Sequence, residues 1–200
     1  NIRDAIWCNV CKNSEYLMAS TRLLNVTSFR VPRGGTATID FTDVFSADYS
    51  AYEIYGTSIG SVNGDGLLRM GLIKADGNIS TSSVYDWKYN EIRDSSTTQS
   101  AGQGADDTTW TFSRYSGYSS YARTSNFRMV IAQPFETNTH TMFYCETESW
   151  ITATARLQIS AGIYFATDSI TGFRLLNTQV GTNSTQLGGG TIKIYGIGGS

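Results

Sequence analysis

Residues 36–41 read T-A-T-I-D-F, and this stretch decides the fold class. Its apolar members, Ala37, Ile39 and Phe41, occupy every second position and therefore share one face of a β-strand. Further strand patterns lie at residues 52–59, 67–73, 126–132, 141–144, 150–159, 163–166, 170–176 and 191–197. Roughly nine to eleven short strands separated by turns predict an all-β protein, an antiparallel β-sandwich of the jelly-roll type.

The segments between the strands carry turn signals and one long polar stretch. Residues 74–78, K-A-D-G-N, contain the Asp-Gly pair that is typical of a β-hairpin turn. Residues 90–109 are rich in Ser, Thr, Gly and Asp, and we interpret them as one long surface loop. A loop of this length in a compact domain is usually functional or disordered.

Composition limits the class of protein and its partners. The chain has 200 residues, of which 40% are hydrophobic and 16% charged, with a formal net charge of −2. This charge argues against a nucleic-acid partner, which requires a basic surface. No apolar run is long enough to span a bilayer, so we expect no membrane insertion. A weakly charged surface suits packing against copies of the same chain, because few charges would lose their hydration.

The N-terminal segment differs from the remainder of the chain. We predict an arm over residues 1–15, with a short helix within residues 1–13, and one β-sandwich domain over residues 16–200. The apolar strip that defines this helix consists of Ile2, Ile6 and Val10 at four-residue spacing, with Trp7 on the adjoining face. This strip packs either on its own domain or on a neighbouring subunit, and we assign these residues to assembly.

The cysteines do not form a disulfide framework, because the chain contains only three. Cys8 and Cys11 form a C-x-x-C motif, and His140 and Cys145 would complete four zinc ligands. The spacing of the second pair is looser than in structural zinc sites. The sequence therefore predicts no metal and no cofactor, and the alternative of convergence on a metal stays open.

Catalytic motifs are not found. His140 is the one histidine and has no cysteine or serine motif nearby. Glu146 and Glu148 share one face of a strand and are flanked by Trp150. This pair would line a groove of a carbohydrate-active enzyme or lectin, but a solvated strand face explains it equally well. We predict no catalytic residue and a protein that is not an enzyme.

Aromatic residues crowd the region of the long polar stretch. We name six of them as candidate ligand-binding residues: Trp87, Tyr89, Trp110, Tyr115, Tyr118 and Tyr121. Tyrosines among small polar residues form adaptable contact surfaces, and aromatic rings stack on sugars. The alternative is that Trp87, Trp110 and Phe112 are anchors of the core or of a subunit interface, and we favour it for these three.

The order of the strands resembles that of small structural proteins in the virions of tailed bacteriophages. Three motifs carry the resemblance: I-x-F-T at residues 39–42, S-I-T-x-I/F-R at residues 169–174 and the terminal Y-G-I at residues 195–197. The resemblance covers roughly residues 16–197, and residues 1–15 depart from it. It implies a β-sandwich component of a tail fibre, a minor tail structure or a capsid surface, without catalytic residues.

Three functions follow from the sequence. The first is a tail-fibre or appendage module in the virion, a homotrimer that contacts other virion proteins and a glycan of the host cell surface. The second is a capsid decoration (cement) or head-fibre protein. The third is a free lectin or glycosidase with Glu146 and Glu148 at its site.

Overall fold

The structure, a computed structural model, describes residues 22–29, 36–62, 66–94, 96–116, 124–151, 154–179 and 186–199. The regular elements in these residues are β-strands, which confirms the predicted all-β class. Their bounds are β1 (Arg22–Phe29), β2 (Thr38–Phe41), β3 (Tyr49–Ile59), β4 (Ser61–Val62), β5 (Gly66–Lys74), β6 (Tyr85–Arg93), β7 (Ser96–Asp107), β8 (Trp110–Ser116), β9 (Ser125–Ala132), β10 (Thr141–Ile151), β11 (Thr154–Tyr164), β12 (Ile170–Gln179), β13 (Gln186–Leu187) and β14 (Gly190–Gly199). The predicted helix within residues 1–13 lies outside the described residues.

Two antiparallel sheets of unequal width face each other. The large sheet has eight strands in the order β1-β14-β3-β9-β10-β11-β6-β7, and the small sheet has four in the order β2-β12-β5-β8. A further short pair joins β4 and β13. The antiparallel β-sandwich predicted from the alternating pattern is thereby confirmed.

The core lies between the two sheets. On β9, Phe127, Met129 and Ile131 point inward and are at most 5% exposed. Trp110 of β8 is fully buried and stacks on Phe143 of β10, with 4.9 Å between ring centroids. Each of these strands contributes every second side chain to the core, as the alternation of buried and exposed residues on β9 shows.

The turn predicted at residues 74–78 is confirmed. The Gly77 amide donates to the Lys74 carbonyl at 2.9 Å, and Ile73 pairs with Ile79 across the turn. Gly77 has a φ of 80°, a left-handed conformation that glycine adopts without steric cost. The Asp76 carboxylate accepts a hydrogen bond from the Asn78 amide, and this bond lowers the pKa of Asp76.

The long loop predicted at residues 90–109 is wrong, because β6 and β7 form a hairpin there. The polar and glycine-rich composition of β7 hid the strand. Gly102 and Gly104 lie under the rings of Tyr89 and Trp87, which occupy the space that a Cβ would need. The aromatic rings of β6 thus supply the packing that the glycines of this edge strand lack.

The strand predicted at residues 150–159 is also wrong in its extent. Ile151 pairs with Thr154, so the chain reverses between β10 and β11. The predicted strand at residues 163–166 begins as the end of β11. The alternation continues through the reversal and therefore concealed it. As a result, Trp150 and Leu157 lie on neighbouring strands and on the same face of the sheet.

Candidate functional site: the outer face of the large sheet

Over residues 157–160, strand β11 carries its apolar side chains outward and its polar side chains inward, whereas Tyr164 at its end is buried in the core. Leu157 and Ile159 point away from the core and are 42% and 44% exposed. The alternate residues Gln158 and Ser160 point inward and are 4% and 0% exposed. A sheet with one solvated face has the opposite pattern, so β11 is inverted relative to its neighbours.

The inward polar side chains of β11 bond to the small sheet. The Gln158 Nε2 donates to the Phe112 carbonyl at 2.9 Å. The Trp110 Nε1 donates to the Ser160 Oγ at 3.0 Å. Because buried polar groups are costly without partners, these bonds fix the register of β8 against β11. A shift of one residue would break both bonds, so the register keeps the apolar row outside.

A buried ion cluster supports the same register near the end of β11. The Arg156 Nη1 donates to the Glu91 Oε1 at 3.0 Å, and Arg93 contacts the same oxygen. The Glu91 side chain is 1% exposed and the Arg156 side chain 13%. Loss of either arginine would leave a buried carboxylate with less compensation, which is strongly destabilising.

The apolar outward residues of β11 and its neighbours form a patch that outward charged residues such as Lys88 and Glu146 flank. The apolar patch consists of Ile92, Met142, Trp150, Leu157, Ile159 and Ile163, with the small residues Ala155 and Ala161. Within it, Leu157 lies in register between Ile92 of β6 and Glu148 of β10. Large side chains that are about half exposed and adjacent on a sheet mark interaction surfaces.

A groove of about 680 Å³ opens at one end of the apolar patch. Trp150, which is 50% exposed, lines it with Ile92 and Leu157. Asn126 and Glu148 supply polar groups on the opposite side. An indole face beside an amide and a carboxylate is a combination that binds either a sugar ring or a protein side chain.

The other half of the outer face is polar, with charges of both signs. Arg128 contacts Glu53 directly, and its Nη1 lies 3.9 Å from the Glu146 Oε2. The Tyr144 hydroxyl donates to the Glu146 Oε1 at 2.9 Å. The hydrogen bond to Glu53 raises the pKa of Arg128, and the bond to Glu146 raises the pKa of Tyr144. The alternating charges give this half specificity rather than a strong field of one sign.

The candidate ligand-binding residues that the structure describes lie on the inner side. Trp110 is 0% and Tyr89 9% exposed, so both side chains are buried. Trp87 is half-buried, stacks on Tyr89 with 6.0 Å between ring centroids, and bonds to Asp107. These contacts fit the role of anchors that the sequence favours for Trp87 and Trp110, and Tyr89 packs beside Trp87. Ligand binding by these residues stays a prediction.

Several predicted residues lie outside the described part of the chain. Tyr115 belongs to β8, but its side chain is not described, and Tyr118 and Tyr121 lie beyond. The assembly residues Ile2, Ile6, Trp7 and Val10 lie outside as well. Their predicted roles stay predictions.

Of the four residues considered as zinc ligands, two lie outside the described residues and two lie within them. Cys8 and Cys11 lie outside the described residues. Cys145 is fully buried on the inner face, and burial raises the pKa of its thiol to about 12. His140 is exposed and packs edge-on against Phe165. Within the described residues, no group of three or more His, Cys, Asp or Glu side chains is placed to hold a metal ion.

The predicted geometry of Glu146 and Glu148 is confirmed. Both side chains are on the outer face of β10 and lie in register with Arg128 and Asn126 of β9. Trp150 follows them on the same face. The sequence missed the outward row of β11, although the alternating string L-Q-I-S-A at residues 157–161 contains its signal.

The described residues contain no helix long and apolar enough to cross a membrane.

Comparisons with known proteins give distant likenesses only. No family model and no curated protein matches the chain. The enzymatically active domain of tailspike protein 2 of bacteriophage CBA120 is 11% identical, with 91% of this chain aligned, and has a TM-score of 0.28. The VP2 subviral particle of infectious bursal disease virus is 16% identical, with 91% of this chain aligned, and has a TM-score of 0.18.

The chain spans 29% of the tailspike domain and 41% of VP2. Likenesses at these TM-scores carry no argument about function, which has to come from the outer face of the large sheet.

Proposed function

We propose that this chain is a structural, non-catalytic subunit of a bacteriophage virion, and that its large sheet packs by the outer face against another subunit. The inverted pattern of β11 carries the proposal. Leu157 and Ile159 would each contribute about 2 kcal/mol if an interface buried them fully. In an isolated chain the same side chains stay in contact with water and contribute little.

Two further observations support a virion location. The motifs at residues 39–42, 169–174 and 195–197 occur in the order that resembles small phage virion proteins. The structure puts the first two on paired strands, because β2 and β12 are neighbours in the small sheet, and the third on β14. The first two motifs lie in the small sheet, and Tyr195 of the third lies beside Glu53, away from β11 in the large sheet, so the motifs do not occupy the apolar patch.

The test is incorporation into the particle. Mass spectrometry of purified particles of the phage that encodes the chain should detect it, and its absence from them would overturn the proposal. A Leu157→Glu chain should fold, because Leu157 faces outward, yet should incorporate at least tenfold less. Thr81→Glu adds the same charge to an exposed loop residue and serves as the matched control.

A second candidate function is recognition of a host-surface glycan by an appendage, and the groove beside Trp150 favours it. The exposed indole would stack on a sugar ring, and Asn126 and Glu148 would bond to its hydroxyl groups. Trp150→Ala would then abolish binding to a glycan array without affecting incorporation. If the outer face is buried between subunits, the groove is closed and neither form binds.

Antibody labelling of particles distinguishes the two virion locations. Label on tail appendages supports the tail-fibre assignment, and label on the capsid shell supports a decoration or head-fibre protein. The homotrimer stays a prediction that particle symmetry tests, and a two-fold pair of this chain would be an alternative to it.

A further inference from the structure

We propose that the apolar patch binds the same patch of a second copy of this chain, in an antiparallel two-fold arrangement centred on Ile159. This inference deepens the proposed function and rests on it, since it names the subunit that the outer face contacts. Two-fold interfaces require a surface that complements itself, and β11 with its neighbours meets this requirement.

The first line of support is the order of large and small side chains along β11. We place the two-fold axis between the two copies, perpendicular to β11 and level with Ile159. This axis puts β11 of one copy over β11 of the other, with the strand direction reversed. Leu157 then faces Ala161, and Ala155 faces Ile163. Each large side chain meets a small one, as interdigitating layers require. The central Ile159, 44% exposed, packs on its own counterpart.

The second line of support comes from β10, which lies beside β11 in register. The same axis brings Met142 of one copy opposite Trp150 of the other, where the thioether meets an indole. These two side chains are 52% and 50% exposed in the isolated chain. It also brings Tyr144 opposite Glu148.

Charges of both signs lie near the axis. Glu146 is in register with Ile159 on one side and with Arg128 on the other. The axis therefore brings the two Glu146 carboxylates towards each other, with one Arg128 guanidinium beside each. Arg128 also contacts Glu53, so each copy brings two acids and one base, and the pairing carries the cost of like charges that face one another.

The available area is sufficient for a stable pair. The strands β9, β10, β11, β6 and β7 are neighbours, and the region from β9 to β7 measures roughly 24 Å by 34 Å from standard strand spacing and rise. This is about 800 Å² per copy, the size that stable protein interfaces bury on each partner. Two twisted sheets pack face to face with strand directions within about 30° of each other, which keeps the central strands in contact.

The first experiment measures self-association of the full chain by sedimentation equilibrium. The wild-type chain should be dimeric at roughly micromolar concentration, and Leu157→Glu should weaken the dimer at least about a hundredfold, because each dimer buries two such residues. Thr81→Glu should leave it unchanged. Circular dichroism and thermal unfolding at a concentration where both are monomeric should show the same fold for each variant.

The second experiment tests the register by exchanging a large and a small residue. Leu157→Ala and Ala161→Leu should each weaken the dimer roughly tenfold or more, the first by loss of contact and the second by a clash. The double variant restores a large residue opposite a small one and should recover most of the wild-type affinity. Recovery of this kind requires that position 157 of one copy meets position 161 of the other.

Three outcomes would overturn the inference. They are a monomeric wild-type chain, a trimer, and a double variant that is no tighter than the weaker single one. A fourth result would also contradict it. If deletion of residues 1–15 abolishes the association while the exchange of residues 157 and 161 leaves it unchanged, the N-terminal arm and not the patch joins the two copies. None of these outcomes removes the proposed function, which incorporation into particles tests separately.

Discussion

Strands β9 and β11 belong to the same sheet, with only β10 between them, yet they orient their side chains in opposite ways. β9 places Phe127, Met129 and Ile131 in the core and turns Asn126 and Arg128 outward. In β11, Leu157 and Ile159 face outward, and Gln158 and Ser160 are buried. If the proposed pairing holds, the difference has a simple reason: β9 packs against one layer, whereas β11 packs between two.

The largest loss of stability is expected from a substitution at a buried apolar residue of β9. Ile131→Ala should reduce the free energy of unfolding by about 3 kcal/mol, because it removes a fully buried side chain and leaves a cavity. Chemical denaturation followed by circular dichroism measures this loss. Val130→Ala, at the outward neighbour, is the matched control and should cost less than about 1 kcal/mol. Equal losses at the two positions would contradict the assigned orientation of β9.

A smaller effect is expected at the polar inner row of β11. Ser160→Ala removes the acceptor of the Trp110 indole N–H in the core and should reduce the free energy of unfolding by about 1–3 kcal/mol. The same denaturation experiment measures it, with Ser83→Ala in an exposed segment as the control. A Ser160→Ala chain as stable as wild type would show that this bond does not hold β8 against β11.

The inner face of β10 supplies a pH-dependent test. Burial raises the pKa of the Cys145 thiol to about 12 from its ordinary value of 9.0, so the folded chain keeps the thiol neutral where the unfolded chain ionises it. The unfolded state then binds fewer protons, and stability falls as the pH rises from about 9 towards about 12.

The contribution of this single thiol has a slope of at most about 1.4 kcal/mol per pH unit. Unfolding measured between pH 8 and 10 should show a steeper decline for wild type than for Cys145→Ala. The contribution of Tyr164 to stability also falls as the pH rises, because burial raises its pKa as well. This contribution is the same in wild type and in Cys145→Ala. Parallel declines would mean that Cys145 is accessible to water.

The inversion of β11 explains how far the sequence predicts this molecule. Alternation identified the strands and the sandwich, because period two survives in β9 and β11 alike. It does not say which of two alternating rows faces the core, and for β11 the buried row is the polar one. The partners that make this row stable, such as the Phe112 carbonyl, come from a distant strand and leave no local pattern.

The same limit applies to the candidate site. Exposed Trp150 and the pair Glu146 and Glu148 were identified because they share a face of one strand, which is local information. The sequence named the aromatic residues around the long polar stretch as ligand-binding candidates and favoured an anchor role for Trp87, but it did not show that Trp87 and Tyr89 cover the glycines of β7. Glycines opposite aromatic residues become recognisable as a strand pair only when the register of β6 and β7 is known.

The smallest change in stability is expected at the outward apolar row of β11, which β9 lacks. Leu157→Ala should change the free energy of unfolding of the monomer by less than about 0.5 kcal/mol, although the same deletion in the core costs several times more. The measurement requires a dilution at which wild type and variant are both monomeric, since a dimer would add its own stability. At higher concentration the two chains should separate, with wild type the more stable. A large loss in the dilute monomer would show that the isolated chain already buries Leu157, and the apolar row of β11 would then need no second layer.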